Sequence, residues 1–465
     1  MCFGKISFFI ATVAISGFCA RGQNPPAALI VNFNQTNGGG PYTAMTLGAD
    51  GNLYGAVSSG GPSSAGAIFE LTSNNSYSLV ADFAGTNGSF PCAKLLRATN
   101  DNLYGVTYVG GTNGEGSIFE FTTNHQLISL CSFAGTNGAY PWGGLIQASN
   151  GNFYGTTSSG GIGSSNGFGG SGTIFMMTPQ GVVSNLYKFT GGPDGATPYG
   201  TLLQGTNGNL YGTTYYGGSG SGGIFEWKLD PVFVSLLNFD GDNGANPASG
   251  LILGRQGFMY GTAATGGLHE DGEFYKLDYF GNLTPLHVFS GPDGAVPYGP
   301  IICCDCCYYG TTYSGGLYDS GSIYRIEINT NPIARFNLLY SFQDKIDGGY
   351  PEGGVTVFHR NIFATTIESS PGYGSLIELI EPPRLTHVSL LGGIFSASTS
   401  ELQPGWTYQP QYSWTLAPGS WSDWGPPITA SSRKQTFSGS VSGPEGFLRL
   451  NFTPPGLIPP PPPPP

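Results

Sequence analysis

Ionisable side chains are scarce. Only 9% of the 465 residues are charged, and Lys and Arg number 16 against 28 Asp and Glu, a formal net charge of −12. Without a basic stripe to neutralise phosphates, we expect no nucleic-acid partner. An anionic lipid surface is disfavoured for the same reason. After the first twenty-odd residues no run is apolar enough to span a bilayer, so the mature chain should lack a transmembrane segment. Catalytic signatures are also missing: there is no nucleophile elbow, no phosphate loop and no His-Glu-x-x-His, and the five histidines (His125, His269, His287, His359, His387) share no repeated setting. What the chain has instead is 77 Gly, 35 Pro and 13% aromatic residues, the composition of an all-β protein with many turns.

Residues 1–22 have the layout of a secretory signal peptide: one Lys near the start, an apolar run from Ile6 to Ile15, and small residues at Ala20 and Gly22. The run is short for a membrane anchor. Bulky Phe18 before Cys19 argues against lipoprotein processing. We therefore expect cleavage near 20–22 and a secreted, periplasmic or cell-surface location, with the protein a monomer.

One phrase recurs along the chain. "LYG" or its equivalent places an aromatic ring at Tyr54, Tyr104, Tyr154, Tyr211, Tyr260, Tyr309 and Phe363, so successive spacings are 50, 50, 57, 49, 49 and 54. A second mark is a glycine two residues ahead of an apolar pair, at Gly66, Gly116, Gly172, Gly222, Gly272, Gly321 and Gly374. Each copy divides into four short β runs parted by turn residues; in copy four these are "TLLQG", "NLYGTTYYG", "GIFEWKL" and "VSLLNF". The Asn-Gly between the first two runs is a hairpin signal. Four strands per unit and a kelch-like period of about 50 predict a seven-bladed β-propeller over 28–384. A parallel β-helix would use fewer residues per coil. Small residues in "YGTT" should let neighbouring sheets approach.

This repeated "GNLYGTT..GG...G.IFE" over 28–380 resembles the tandem GloVer repeats of secreted bacterial choice-of-anchor proteins. The resemblance implies an exported propeller-like protein and supplies no catalytic residues. Copies six ("IICCDCCYYGTT") and seven ("IFATTIESSPGYGSLIE") depart from the pattern.

Copy seven lacks a fourth run, because "EPPR" leads straight into other sequence, while "ALIVNF" at 28–33 has no set before it. We expect residues 28–33 to pair with the strand containing Leu376–Leu379 and close the ring, hiding an open sheet edge. Residues 385–453 read as a small β-sandwich holding Trp406, Trp414, Trp421 and Trp424, either a core or a carbohydrate-stacking surface. Residues 454–465 form a proline-rich tail.

Leader removal leaves Cys92, Cys131 and the "CCDCC" cluster. Cys92 and Cys131 should lie three strand spacings apart, about 14 Å, beyond disulfide reach. In the cluster, Cys303, Cys304, Cys306 and Cys307 are candidates for a local disulfide. A zinc site would need a second pair of ligands, and none follows.

The densest ionisable cluster is "LHEDGEF", with His269, Glu270 and Asp271, on a loop predicted to share a face with Asp242 and Asp293. These are the candidate ligand-binding residues. Asp240 and Asp242, one residue apart in a Gly-rich turn, could offer oxygens to calcium or serve only as turn formers. No other cofactor is expected. Near-identical loops favour a non-enzymatic exported scaffold that binds a polysaccharide or surface protein through its loop face. The alternative is a propeller enzyme, a hydrolase or lyase acting on extracellular polysaccharide.

Overall fold

The computed structural model describes residues 27–380 except 163–168, 255–256, 305–306, 329–333, 345, 360 and 371, and beyond 385 its strands alone. Among the described residues there is no α-helix. The leader and the proline tail lie outside them.

Seven sheets follow one another along residues 29–379, which form one compact unit. Blade 1 runs through Thr46–Leu47, Leu53–Val57, Ala67–Leu71 and Tyr77–Asp82, paired in that order from the inside outward. Blades 2 to 6 repeat the scheme; in blade 2 an added segment, Ser89–Pro91, also pairs with the second strand. Blade 7 takes Val355–Phe358, Asn361–Thr366 and Ser375–Ile380 from the end of the repeat region, and its outer strand is Ala27–Asn32. The Phe33 N–H donates to the Gly374 carbonyl at 3.0 Å, as Phe83 does to Gly66 within blade 1. The ring is closed by its own N-terminus, as the strand count required.

The cores lie between blades. One cluster joins Tyr54, Ile68 and Phe83 of blade 1 to Leu103 and Phe119 of blade 2. Another joins Phe363 and Leu376 of blade 7 to Val31, Phe33, Leu53 and Phe69. Two sheet faces thus bury apolar side chains against each other around the ring, which is why charges are scarce in the strands.

The recurring glycines do two jobs. The Gly of "YGTT" lies opposite an aromatic ring of its own blade: a Cβ on Gly55 would stand 2.3 Å from Cζ of Phe69. That glycine admits a ring within the sheet, whereas the sequence suggested a role between sheets. Approach between blades falls to the glycine ahead of "IFE". At Gly222, with φ +85, a Cβ would meet the Thr214 carbonyl oxygen at 2.3 Å and Cδ of Pro247, in the next blade, at 3.0 Å. At Gly374 the approaching proline is Pro41, across the closure.

Cys92 is buried just past Ser89–Pro91, and Cys131 lies in the outer strand Leu127–Ser132. Both are free thiols.

The C-terminal unit contains two sheets by pairing. Ile394–Thr399 lies between Thr386–Leu391 and Gln435–Ser440, and Thr407–Ser413 pairs with Phe447–Thr453 and with the short strands Ser422–Asp423 and Ile428–Thr429. The four tryptophans lie outside the described residues.

Candidate functional site

The two faces of the propeller carry different chemistry. On one, each first-to-second-strand turn sits beside a third-to-fourth-strand turn, and the phrase "N-x-Y…IFE" acquires a structural meaning. Asn102 Nδ2 donates to Glu120 Oε1 at 2.6 Å, and the Tyr104 hydroxyl donates to the same oxygen at 2.7 Å. In blade 4, Asn209 and Tyr211 bind Glu226 at 2.7 Å each. Blade 7 keeps the amide contact between Asn361 and Glu378. A carboxylate with several donors offsets its burial. In blades 1 and 7 the next blade's turn caps the set: His125 Nε2 stands 3.3 Å from the Tyr54 hydroxyl, and Asn75 donates to Glu378 at 2.8 Å. A cleft of about 230 Å³ lies beside His125, Asp50 and Asp101. The device recurs in blades 1, 2, 4 and 7, while Met176, Lys276 and Arg325 take the glutamate's place in blades 3, 5 and 6.

The other face gathers the second-to-third-strand loops and the connections that enter each blade. Every entry has the form X-Pro followed by a residue at the mouth of the central channel. X is held at positive φ in Phe90, Tyr140, Thr197, Asn246, Val296 and Tyr350. The strain has an identifiable compensation, because the N–H of X donates to a carbonyl of the preceding blade: Phe90 to Ala65 at 2.9 Å, Asn246 to Ser221 at 2.7 Å, and Gly40 to Tyr373 at 2.9 Å across the closure.

The residue after each proline differs from blade to blade: Tyr42, Cys92, Trp142, Tyr199, Ala248, Tyr298 and Glu352. With residues ending the second strands, these build a continuous aromatic surface. Tyr42 meets Trp142 at 6.2 Å, Tyr108 meets Trp142 at 5.2 Å, Trp142 meets Tyr199 at 5.7 Å, and Tyr199 meets Tyr215 at 5.2 Å. Blade 5 carries only Ala248 and Ala264, and the gap is bridged by Tyr215 and Tyr298, whose hydroxyls are 3.1 Å apart. Tyr298 continues to Tyr313 at 5.7 Å, and Tyr313 to Tyr350 at 5.1 Å. These rings are half-buried, each packed on its neighbours with part of its surface open to solvent.

Among the described residues, two charged side chains stand within three positions after an entry proline, Glu352 and Lys94. Glu352 is half-buried, and burial pushes its carboxyl up to about 7. It acts electrostatically on the Tyr42 and Tyr313 hydroxyls, and Glu368 acts on Tyr313 as well. Lys94 lies two residues beyond Cys92 toward the interior of the channel. Water reaches it, yet the surrounding protein lowers its ammonium below the ordinary lysine value. At the same level most other blades have glycine or another small residue.

The residues singled out from the sequence lie on this aromatic face, away from the rings. His269 and Glu270 are exposed, and the Asp271 carbonyl accepts the N–H of Val296, two residues before Tyr298. Asp293 is engaged within its own connection. Burial alone would raise its carboxyl, but His287 at 3.1 Å and the Ser290 N–H at 2.9 Å hold it below the usual range. Asp240 and Asn243 lock their turn reciprocally, and Asp242 is exposed. Among the described residues no group of three or more His, Cys, Asp or Glu side chains is arranged to hold a metal ion. Cys304 lies opposite Cys307 in the blade 6 hairpin, with Cys303 opposite Tyr308; Cys306 lies outside the described residues. Sequence reasoning missed the aromatic mouth. Its signal was the residue after the entry proline, which is Tyr or Trp in four of the seven copies.

Several solved propellers are similar in outline. A candidate 6-phosphogluconolactonase from Bacteroides uniformis superposes with a TM-score of 0.49 at 13% identity, covering 83% of this chain and 99% of that one. An ancestral GH74 enzyme gives 0.48 at 12%, covering 74% and 48%. A gluconolactonase from Xanthomonas campestris gives 0.40 at 12%, covering 62% and 86%. No curated protein matches the sequence. The sequence does match the Gloeobacter/Verrucomicrobia repeat over residues 20–169 and 161–377, the region from which all seven blades are built, and the chain therefore belongs to the Gloeobacter/Verrucomicrobia repeat family.

Proposed function

We propose that this protein is an exported, non-enzymatic binding propeller that takes a saccharide at the aromatic mouth of its channel. The observation that carries the reading is the run of half-buried rings from Tyr42 through Trp142 and Tyr199 to Tyr313, contributed by different blades to one aromatic surface. Aromatic faces stack on the C–H faces of pyranose rings, while phenol and indole edges supply polar contacts without mobile charged side chains. The acidic loop of His269, Glu270 and Asp271, together with Asp242 and Asp293, forms the outer rim of that face, and calcium at Asp240 and Asp242 would rigidify it. Export rests on the leader at 1–22, and residues 385–453 serve as a β-sandwich module that spaces or anchors the propeller.

A polysaccharide array followed by calorimetry tests the reading. Wild type should bind a defined set of glycans, and Trp142→Ala or Tyr199→Ala should lower affinity at least tenfold. Full affinity in both variants would refute it. Cleavage of the bound chain by a hydrolase or lyase is a second reading, because Glu352 offers beside the aromatic residues a carboxyl that burial raises to about 7. Product release by wild type that is lost in Glu352→Gln would select it.

A further inference from the structure

We propose that the mouth holds an ammonium group, with the Glu352 carboxylate as counter-charge and the rings of Tyr42 and Tyr313 as walls, so that the ligand is a saccharide bearing a free amine. This rests on the saccharide reading of the same site.

The starting point is a replacement. Four of the seven positions after the entry prolines hold Tyr or Trp, and blade 7 holds Glu352. That carboxyl makes no hydrogen bond and no ion pair with any described residue, although its surroundings cost a charged group much of its hydration. Architecture does not account for it, since the turn-face glutamates have Asn and Tyr donors and Glu352 has none. An unpartnered carboxylate among electron-rich ring faces is complementary to an alkylammonium, which gains both a Coulomb partner and cation–π attraction where water is partly excluded. A neutral sugar would leave the carboxylate uncompensated. The net charge of −12 favours the approach of a cation.

The groups facing Glu352 can be named. They are the Tyr42 and Tyr313 hydroxyls, Glu368 and Tyr350 beyond Tyr313, and Cys92 beyond Tyr42. The Tyr42 and Tyr313 phenols and the thiol are pushed upward by burial and stay neutral near pH 7. Lys94, on blade 2, is the other charge within three positions after an entry proline. A bound ammonium favours the ionised carboxylate and so expels its proton. The affinity of a permanently charged probe should therefore rise about tenfold between pH 6 and pH 8, following the ionised fraction of a carboxyl near 7.

The test uses the full chain and three probes: tetramethylammonium, chitosan hexamer with free amines, and chitin hexamer, the same backbone with its amines acetylated. The proposal expects tetramethylammonium to bind with that pH profile, chitosan hexamer to bind at least tenfold tighter than chitin hexamer, and Glu352→Gln to abolish both effects without lowering Tm. Lys94→Met should keep the profile, which assigns it to Glu352. Equal binding of the two hexamers, unaffected by Glu352→Gln, overturns the ammonium site and leaves the saccharide reading standing. Tetramethylammonium binding with neither hexamer bound keeps the ammonium site and overturns the saccharide. No binding of any probe overturns both.

Discussion

The two faces of this ring come from the same repeat, yet one reuses a single carboxylate device in blades 1, 2, 4 and 7, with Met176, Lys276 and Arg325 in the other three, and the other face changes its side chain along an unchanging main chain. On the turn face, Asn102–Tyr104–Glu120 and Asn209–Tyr211–Glu226 make the same pair of hydrogen bonds at 2.6 to 2.7 Å and so solve one problem alike, satisfying a carboxylate while two sheets pack. On the mouth face the backbone repeats just as strictly, with its proline entry and its N–H bond to the preceding blade, but the residue after the proline passes through Tyr, Cys, Trp, Tyr, Ala, Tyr and Glu. A main chain fixed this strictly leaves the side chain at that slot free to differ in each blade.

Five measurements would break or sharpen this contrast. The largest effect is expected from removing both faces' common support. A chain beginning after Gln35 leaves the edge of Ser375–Ile380 unpaired, and we expect loss of a cooperative melt and aggregation on gel filtration. Gly222→Val should come next, costing about 4 kcal/mol or more, because the branched side chain meets the Thr214 carbonyl at a backbone angle it rarely adopts; denaturant midpoints would read it. Glu226→Leu strips the acceptor from Asn209 and Tyr211 and should cost about 2 kcal/mol while leaving ligand affinity untouched. A change in affinity there would erase the distinction between the faces.

The fourth prediction concerns pH. Glu273 is nearly inaccessible, with Oε1 lacking a partner, and burial raises its carboxyl to about 7, the same value as Glu352. Both folded values lie above the ordinary 4.5. Their contribution is therefore fully present below about pH 4.5 and is lost as pH rises through 7. Asp50 and Asp293, shifted downward, act oppositely, but only as pH falls below the ordinary carboxylate range. Calorimetry should show greater stability at pH 5.5 than at pH 8, by on the order of 2 kcal/mol, and Glu273→Gln should flatten the trend. The smallest effect on stability is expected from Trp142→Ala, whose ring is only half-buried; its Tm should fall less than that of Glu226→Leu although its ligand affinity falls more.

Much of the fold was legible because its signals are local and occur seven times. The tyrosines and glycines gave the count, and the orphan run at 28–33 gave the closure, realised at Ala27–Asn32. The site was less legible, for two physical reasons. Charge drew the reading to His269 and Glu270, which the structure leaves exposed on an outer loop, whereas the channel mouth is assembled by residues roughly fifty positions apart that meet only through the ring. The role of the "YGTT" glycine was misplaced because spacing cannot tell whether a neighbouring ring comes from the same sheet or the next. Gly55 opposite Phe69 settles it.

The strand that completes blade 7 is made before any blade exists. With Ala27–Asn32 waiting for Ser375–Ile380, the ring cannot lock during synthesis. At ribosomal rates of roughly 5–20 residues per second, the first strand stays without its mate for on the order of 20–70 s. A chain locked by joining its first strand to its last stays threadable until it is complete, so unfinished copies can pass through a narrow pore or be cleared by proteases, and only finished ones become rings.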